Sequence, residues 1–336
     1  MYLEFYGLKE KPFNATPDPK FLYLTPGHRE ALAQLTYGVQ EHKGFLVLTG
    51  EVGTGKTTLL QALLQKLDSN TAVAFVFNSK LSFDEVLEYA LHDYGIGKTE
   101  GSRVQRLVAL NNYLIERRRA GQNTVLILDE AQNLDADTLE QVRLLSNFET
   151  PTDKLLQILL VGQPELKDKL ALPSLRQLKQ RIGLRCAIPP MTAEETRDYI
   201  RTRLRIAGAR DLNLFDEAAV RRIAEYAEGI PRVVNIVCDH ALLIGYADQT
   251  RRIGRTVVER AVRYLEQGEL PSRQARSMAF WRESLPGGWA VGTVVASTVG
   301  VFGVVALTPV GWADVWGSVV HSLMDLAHFA RQLMGG

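Results

Sequence analysis

The sequence predicts an α/β fold: a parallel sheet wrapped by helices, a helical domain behind it, and one membrane-crossing segment. Three observations carry this. Short apolar runs alternate with amphipathic stretches from Gly44 to Pro190, and the pattern then becomes wholly helical. Finally, Gly288 to Trp312 (GWAVGTVVASTVGVFGVVALTPVGW) holds no charged residue. The length of 336 residues allows one large or two modest domains. A formal net charge of +1 demands neither a nucleic-acid nor a membrane-surface partner, and leaves local patches open.

Residues 1–43 form an aromatic, proline-rich lead-in expected to pack on the core that follows. Pro17 and Pro19 favour an extended path, and Thr25 is placed to cap a helix through HREALAQLTYGV. The core spans 44–190. FLVLT, AVAFVF, TVLILD and QILLVG read as buried strands, with RCAI a weaker fifth. KTTLLQALLQKL and RLVALNNYLIERRRAG read as helices between them, so the strands run parallel. After Pro189-Pro190, residues 191–268 carry four helical patterns, beginning MTAEETRDYI, DEAAVRRIAE, PRVVNIVCDH and TVVERAVRYL. Glycines follow three of them as stops, and Pro231 suits a first turn.

GEVGTGKT, Gly50 to Thr57, fits the phosphate-loop pattern of strand, glycine-rich turn and helix. Gly50, Gly53 and Gly55 let backbone N–H groups close around phosphates, at a helix N-terminus that favours negative charge. Thr54 and Thr58 flank that cradle. Lys56 is placed to bridge phosphate oxygens, and Thr57 to ligate magnesium. TVLILDEAQ places Asp129 at the carboxyl edge of the sheet as the second metal-holding group, with Glu130 next to it to orient or deprotonate water. The pair implies hydrolysis of a nucleoside triphosphate. Gln163, after the strand QILLVG, either contacts the γ-phosphate or the water, or is a plain loop residue. Arg176 and Arg181, before the fifth strand, are candidates for an arginine that reaches a neighbouring subunit's nucleotide. Arg232 stands in the first turn of a helix, where a cation is unfavourable without an anion nearby.

These motifs, in this order and with a helical lid, resemble an AAA+ P-loop NTPase. The stretches MYLEFYGLKEKPFNATPDPKFLYLTPGHREALAQLTYGV, GFLVLTGEVGTGKTTLL, LILDEAQNL, RLLSNFET and LLVGQPEL resemble more closely the general secretion pathway protein A (ExeA) family. That family includes ATPases of MSHA-type pilus biogenesis and of exosortase and polysaccharide systems. The resemblance covers roughly residues 1–268. It implies ATP and Mg2+ as ligands, a homo-oligomer with nucleotide between subunits, and work on a secretion, pilus or exopolysaccharide machine. It carries nucleotide-contacting roles onto Gly53, Gly55, Lys56, Thr57, Asp129 and Glu130, and sensor roles onto Gln163 and Arg232. Arg181 is the choice for the arginine finger. Secretion members often continue into a peptidoglycan-binding region; the sequence after the apolar stretch is short here, so direct cell-wall binding is not expected.

Residues 269–287 read as a linker and 288–312 as a single transmembrane helix, long enough for a bilayer core. Arg273, Arg276 and Arg282 precede it and Asp314 follows, which puts the ATPase in the cytoplasm and the tail outside the bacterial inner membrane. Trp289 and Trp312 mark its ends, and Gly292, Ala296 and Gly300 form a small-residue stripe. Residues 313–336 read as a short amphipathic tail. Cys186 and Cys238 show no metal or redox spacing and read as buried thiols. An alternative reading is a DNA-binding ATPase switch of the transposition or replication-initiation type, with Arg117 to Arg119, Arg251, Arg252 and Arg255 on phosphates. A soluble DNA switch has no use for the apolar stretch. A nucleotide-gated scaffold, reset by hydrolysis, remains a third reading.

Overall fold

The structure, a computed structural model, describes residues 2–267 apart from 15–17, 69, 78–79, 98–100 and 152. The expected linker, transmembrane helix and tail lie outside the described residues. Among those described, no helix is long and apolar enough to cross a membrane.

In chain order, α1 (Tyr2–Tyr6) and α2 (Pro26–Gln40) precede β1 (Phe45–Gly50), α3 (Lys56–Lys66) and β2 (Thr71–Val76). Next come α4 (Phe83–Asp93), α5 (Arg103–Arg119), β3 (Asn123–Leu128), α6 (Ala136–Leu145) and β4 (Gln157–Gly162). Then follow α7 (Glu165–Leu170), α8 (Arg176–Arg181) and β5 (Ile182–Ile188). The helical region holds α9 (Ala193–Ile206), α10 (Glu217–Ala227), α11 (Pro231–Ala247) and α12 (Arg255–Gln267). The strands lie in the order β2-β3-β4-β1-β5, every pair parallel.

Alternation along the strands sends side chains to two cores. Phe45, Val47, Leu126, Leu128, Ile158 and Leu160 face α4, α5 and α6, while Leu46, Leu48, Val125, Ile127, Leu159 and Val161 face α2 and α3. Strands buried on both faces need continuous apolar sequence, and β1 and β4 are buried at every position. At the rims the pattern changes. β5 alternates in burial toward its end, which is why its sequence signal is weak. β2 is the other rim, and there Phe75 N–H donates to Asp93 Oδ2 at 2.9 Å.

The lead-in divides between two cores. α2 packs against the sheet, with Leu22 and Leu24 beside it. Tyr2, Tyr6, Leu8, Phe13 and Phe21 instead join the core of the helical region, beside Ile200, Leu204, Val237 and Ala241. The aromatic residues fill space that α9–α11 leave between them, and their polar tips find partners there. Tyr2 Oη donates to Asp239 Oδ1 at 2.7 Å and Tyr6 Oη to the Thr250 carbonyl at 3.0 Å.

Local signals set the helix ends. Thr25, Ser82, Ser102, Asp135, Thr192 and Asp216 each cap a helix by accepting a backbone N–H. Gly229 takes φ +72°, and an added Cβ would lie 2.1 Å from the Met191 carbonyl oxygen, so this turn admits only glycine. It packs where the chain leaves the sheet, and Met191 N–H donates to the Gly229 carbonyl at 2.9 Å.

Candidate nucleotide-binding site

Because β1, β4 and β3 are adjacent and parallel, their carboxyl ends meet at one edge of the sheet. β1 ends at Gly50 and runs into the glycine-rich loop, β3 runs into Asp129-Glu130, and β4 runs into Gln163. Ligands of such sheets bind outside that edge. There the structure holds a cavity of about 410 Å³ lined by Gly53, Thr54, Gly55, Lys56, Thr57, Thr58, Glu130 and Arg232 among others.

The loop is shaped for an anion. Gly53 and Gly55 take φ +81° and +97°, and Gly55 caps α3, whose first N–H groups have no side-chain cap. Thr54 is buried, its Oγ1 donating to the Glu51 carbonyl at 2.8 Å. Lys56 Nζ folds back onto the carbonyls of Gly50 and Glu51 at 2.8 and 3.1 Å. Burial pushes the Lys56 ammonium down from the usual lysine range, while Glu130, Asp129, Glu51 and Glu165 oppose the shift. Thr57 is exposed at the cavity, where its hydroxyl is open to a metal or a phosphate.

Asp129 and Glu130 have different surroundings. Asp129 Oδ1 accepts from Glu130 N–H at 2.9 Å; burial raises its carboxyl above the ordinary range, opposed by that hydrogen bond and by Lys56 and helped by the Glu130 charge. Glu130 is backbone-strained at φ +52°. Burial raises its carboxyl, yet the Gln132 and Gln163 amides and Lys56 outweigh burial and hold it below the ordinary range. Both amides donate to Glu130 Oε2, Gln132 at 2.7 Å and Gln163 at 3.1 Å. Gln132 Oε1 in turn accepts from Gln163 N–H at 3.1 Å, tying the ends of β3 and β4 together. Lys169 of α7 secures the turn after Glu130, donating to the Gln132 and Leu134 carbonyls.

The helical region closes the other side. Arg232 N–H donates to the Gly53 carbonyl at 3.3 Å, so α11 begins against the loop. Deeper in, Tyr199 Oη donates to Asn235 Oδ1 at 2.9 Å and accepts from Arg203 Nη1 at 2.9 Å. Arg203 is buried, with Nε donating to the Pro12 carbonyl at 2.5 Å and its guanidinium 4.7 Å from the Phe21 ring centre. Phe21, Tyr23, Asp18 and Asn14 of the lead-in complete this wall.

The structure thus brings most of the expected residues to one place. Gly50, Asp129 and Gln163 do not line the cavity themselves but bond to residues that do, Gly50 to Lys56 and the other two to Glu130. Arg181 stands apart, donating to Ser146 Oγ at 2.5 Å, and next to Ile182, which pairs with the first residue of β1. The loop follows the last residue of β1, so about 16 Å of strand separates Arg181 from its own chain's cavity. Cys186 and Cys238 are free and buried, and burial pushes the Cys186 thiol up to about 12. Sequence reasoning missed His28, Gln132, Arg203 and the lead-in wall. Only His28 had a signal, three residues after the capping Thr25.

The oxygen-only donor set of Thr57 and Asp129 fits Mg2+, which takes few protein oxygens beside phosphate and water. The loop fits a polyphosphate, since its positive-φ glycines lead into the N-terminus of α3, which has no side-chain cap and favours an anion.

Comparisons with known proteins agree with this geometry. The AAA domain family matches residues 39–170. General secretion pathway protein A of Aeromonas hydrophila is 41% identical over 254 residues, covering 75% of this chain. The chain spans 46% of that relative's length. Among solved structures, Aeropyrum pernix ORC2, with ADPNP and ADP, matches at a TM-score of 0.58 and 18% identity over 93% of this chain and 89% of that one. Cdc6p from Pyrobaculum aerophilum matches at 0.53 and 20% identity over 71% and 68%. At such identities the two structures show the fold alone, a P-loop AAA-type parallel sheet. The chain thus holds an AAA domain over residues 39–170, and over three quarters of its length it is similar to general secretion pathway protein A.

Proposed function

We propose that the chain is a membrane-anchored AAA+ ATPase that hydrolyses ATP to drive or regulate assembly or export by a cell-envelope system. The observation that carries hydrolysis is the pairing of a phosphate loop with a Glu130 carboxylate held in its charged form by two amides. In this reading Gly53, Thr54, Gly55 and Thr58 surround the phosphates with N–H groups and hydroxyls. Lys56 leaves the Gly50 and Glu51 carbonyls for phosphate oxygens. Thr57 and Asp129 would hold Mg2+, which supplies charge neutralisation on those oxygens. Glu130 aligns a water and takes its proton, with Gln163 setting the carboxylate's direction. Arg232 carries the state of the γ-phosphate to α11. Arg181 serves a neighbouring subunit's site, because it stands too far from its own.

The envelope role rests on the relative's name and on the uncharged stretch 288–312 with its tryptophan ends and arginine-rich approach. The DNA-switch reading draws on fold likeness to ORC2 and Cdc6p; of its candidate arginines, Arg117, Arg118, Arg251 and Arg255 already engage Asn70, Asp153, Phe5 and Glu259.

Two measurements test the proposal together. Under alkaline carbonate the full chain stays with membranes and a version ending at Gln267 is released; release of both removes the anchor. E130Q keeps ATP binding and loses turnover about 100-fold or more. Unchanged turnover in E130Q removes Glu130 as the base.

A further inference from the structure

We infer that His28 is a positioning residue for the phosphate loop, setting the Thr54–Gly55 peptide so that its N–H points into the cavity. The inference rests on the reading that this loop binds ATP.

His28 comes from α2, outside every nucleotide motif, yet it is buried against the loop. Its Nε2 lies 2.9 Å from the Thr54 carbonyl oxygen, and its Nδ1 lies 2.7 Å from Thr25 Oγ1. A carbonyl only accepts, so Nε2 carries the proton. Nδ1 is then the acceptor, and the Thr25 hydroxyl donates to it. The same hydroxyl oxygen accepts the His28 N–H at 3.2 Å, as the cap of α2. Every polar atom of the ring is therefore used, and the tautomer is fixed.

The consequence follows from peptide geometry. All peptide bonds described are trans, so the Thr54 carbonyl and the Gly55 N–H point in opposite directions. Holding the carbonyl on His28, behind the loop, aims the Gly55 N–H away from it, toward the cavity. Gly55, with φ +97° and no side chain, can rotate this peptide more easily than other residues can. A half-turn would present an oxygen to the phosphate instead of a donor. The imidazole resists that rotation, and it also occupies the space behind Gly55, where a Cβ would lie 3.1 Å from Nε2.

The turn that carries the ring is itself braced. A Cβ at Gly27 would lie 2.9 Å from Pro189 Cδ, so the Thr25–His28 turn sits tightly against the proline at the exit of β5. A histidine on a loose segment could not set a peptide plane. This one is held by a helix cap on one side and a proline on the other.

The test uses the full chain with His28→Leu, His28→Asn and His28→Gln. Glutamine places an amide donor where Nε2 stands, asparagine is too short to reach Thr54, and leucine fills the volume without a donor. Thermal unfolding first checks that each variant is folded at the assay temperature. The dissociation constant for ATP with magnesium is then measured by titration calorimetry, and kcat and KM by phosphate release. H28L and H28N are expected to weaken ATP binding about tenfold and to raise KM alike, with kcat changed less than about threefold. H28Q is expected within about twofold of the native chain. A native dissociation constant in H28L and H28N overturns the inference, as does an H28Q protein as impaired as H28L. If the native chain itself fails to bind ATP, the nucleotide reading falls, and the inference with it. That result is distinct from a loss confined to the variants.

Discussion

Gly53→Ala tests the joint between the phosphate loop and the helical region. Two costs add. Gly53 holds φ +81°, which an alanine adopts at about 1–2 kcal/mol. The new Cβ would also lie 2.6 Å from Arg232 Cβ and 3.2 Å from Ile230 Cγ2, and relieving such contacts costs about 1–3 kcal/mol. The total, about 2–5 kcal/mol, corresponds to a fall in Tm of about 4–10 °C for a unit of this size. Thermal unfolding of the full chain by circular dichroism reads it. Arg232→Gly separates the two costs, because it deletes the crowded Cβ and leaves the Gly53 dihedral unchanged. G53A with R232G should therefore be more stable than the sum of the single effects, by about 1–3 kcal/mol. Strict additivity, or an unchanged Tm in G53A, refutes the contact between loop and α11.

Three further outcomes are expected. Lys56→Met, which deletes the ammonium now resting on Gly50 and Glu51, should abolish the rise in Tm that ATP confers, about 2.7 kcal/mol of stabilisation at 100 times the dissociation constant; a persisting rise places the phosphates elsewhere. Gln132→Leu removes one of two amides on Glu130 and should lower kcat about 10- to 100-fold with KM unchanged, as steady-state kinetics will show; an equal rise in KM means that Gln132 shapes binding instead. Stability should also fall as pH drops below about 6.5. Burial lowers the His28 and His42 imidazoles, so the unfolded chain takes up protons that the native one refuses, and stability is full above the ordinary imidazole value. His28→Gln should shrink this acid loss in chemical denaturation, leaving the His42 share; an unchanged loss shows that His28 is not buried neutral.

Much of the fold was legible because fully buried parallel strands need uninterrupted apolar sequence, and β1, β3 and β4 have it. β5 was weaker because half of it faces outward. The loop residues and Asp129-Glu130 were legible because backbone geometry and metal chemistry force particular residue types at fixed spacing. Gln132 and Arg203 carry no such constraint. An amide or a guanidinium can stand almost anywhere, and only the meeting of β3 with β4, or of α9 with the lead-in, gives these two their partners. The lead-in was only half legible for a related reason. Its aromatic residues announce burial, but composition does not say against which surface, and Tyr2 finds Asp239 across 237 residues of sequence.

That last separation governs how the protein is made. Tyr2 and Tyr6 bond to positions 237 and 244 residues away, and Arg203 to Pro12 across 191. The ribosome adds about 5–20 residues per second, so the first segment waits roughly 10–50 s for its partners. The sheet and α2 can assemble meanwhile, since their two cores hold no residue of α9–α12. A newborn chain therefore displays its aromatic first segment to the cell's chaperones until α11 has emerged. The nucleotide cavity is finished only once α9 and α11 fold onto it.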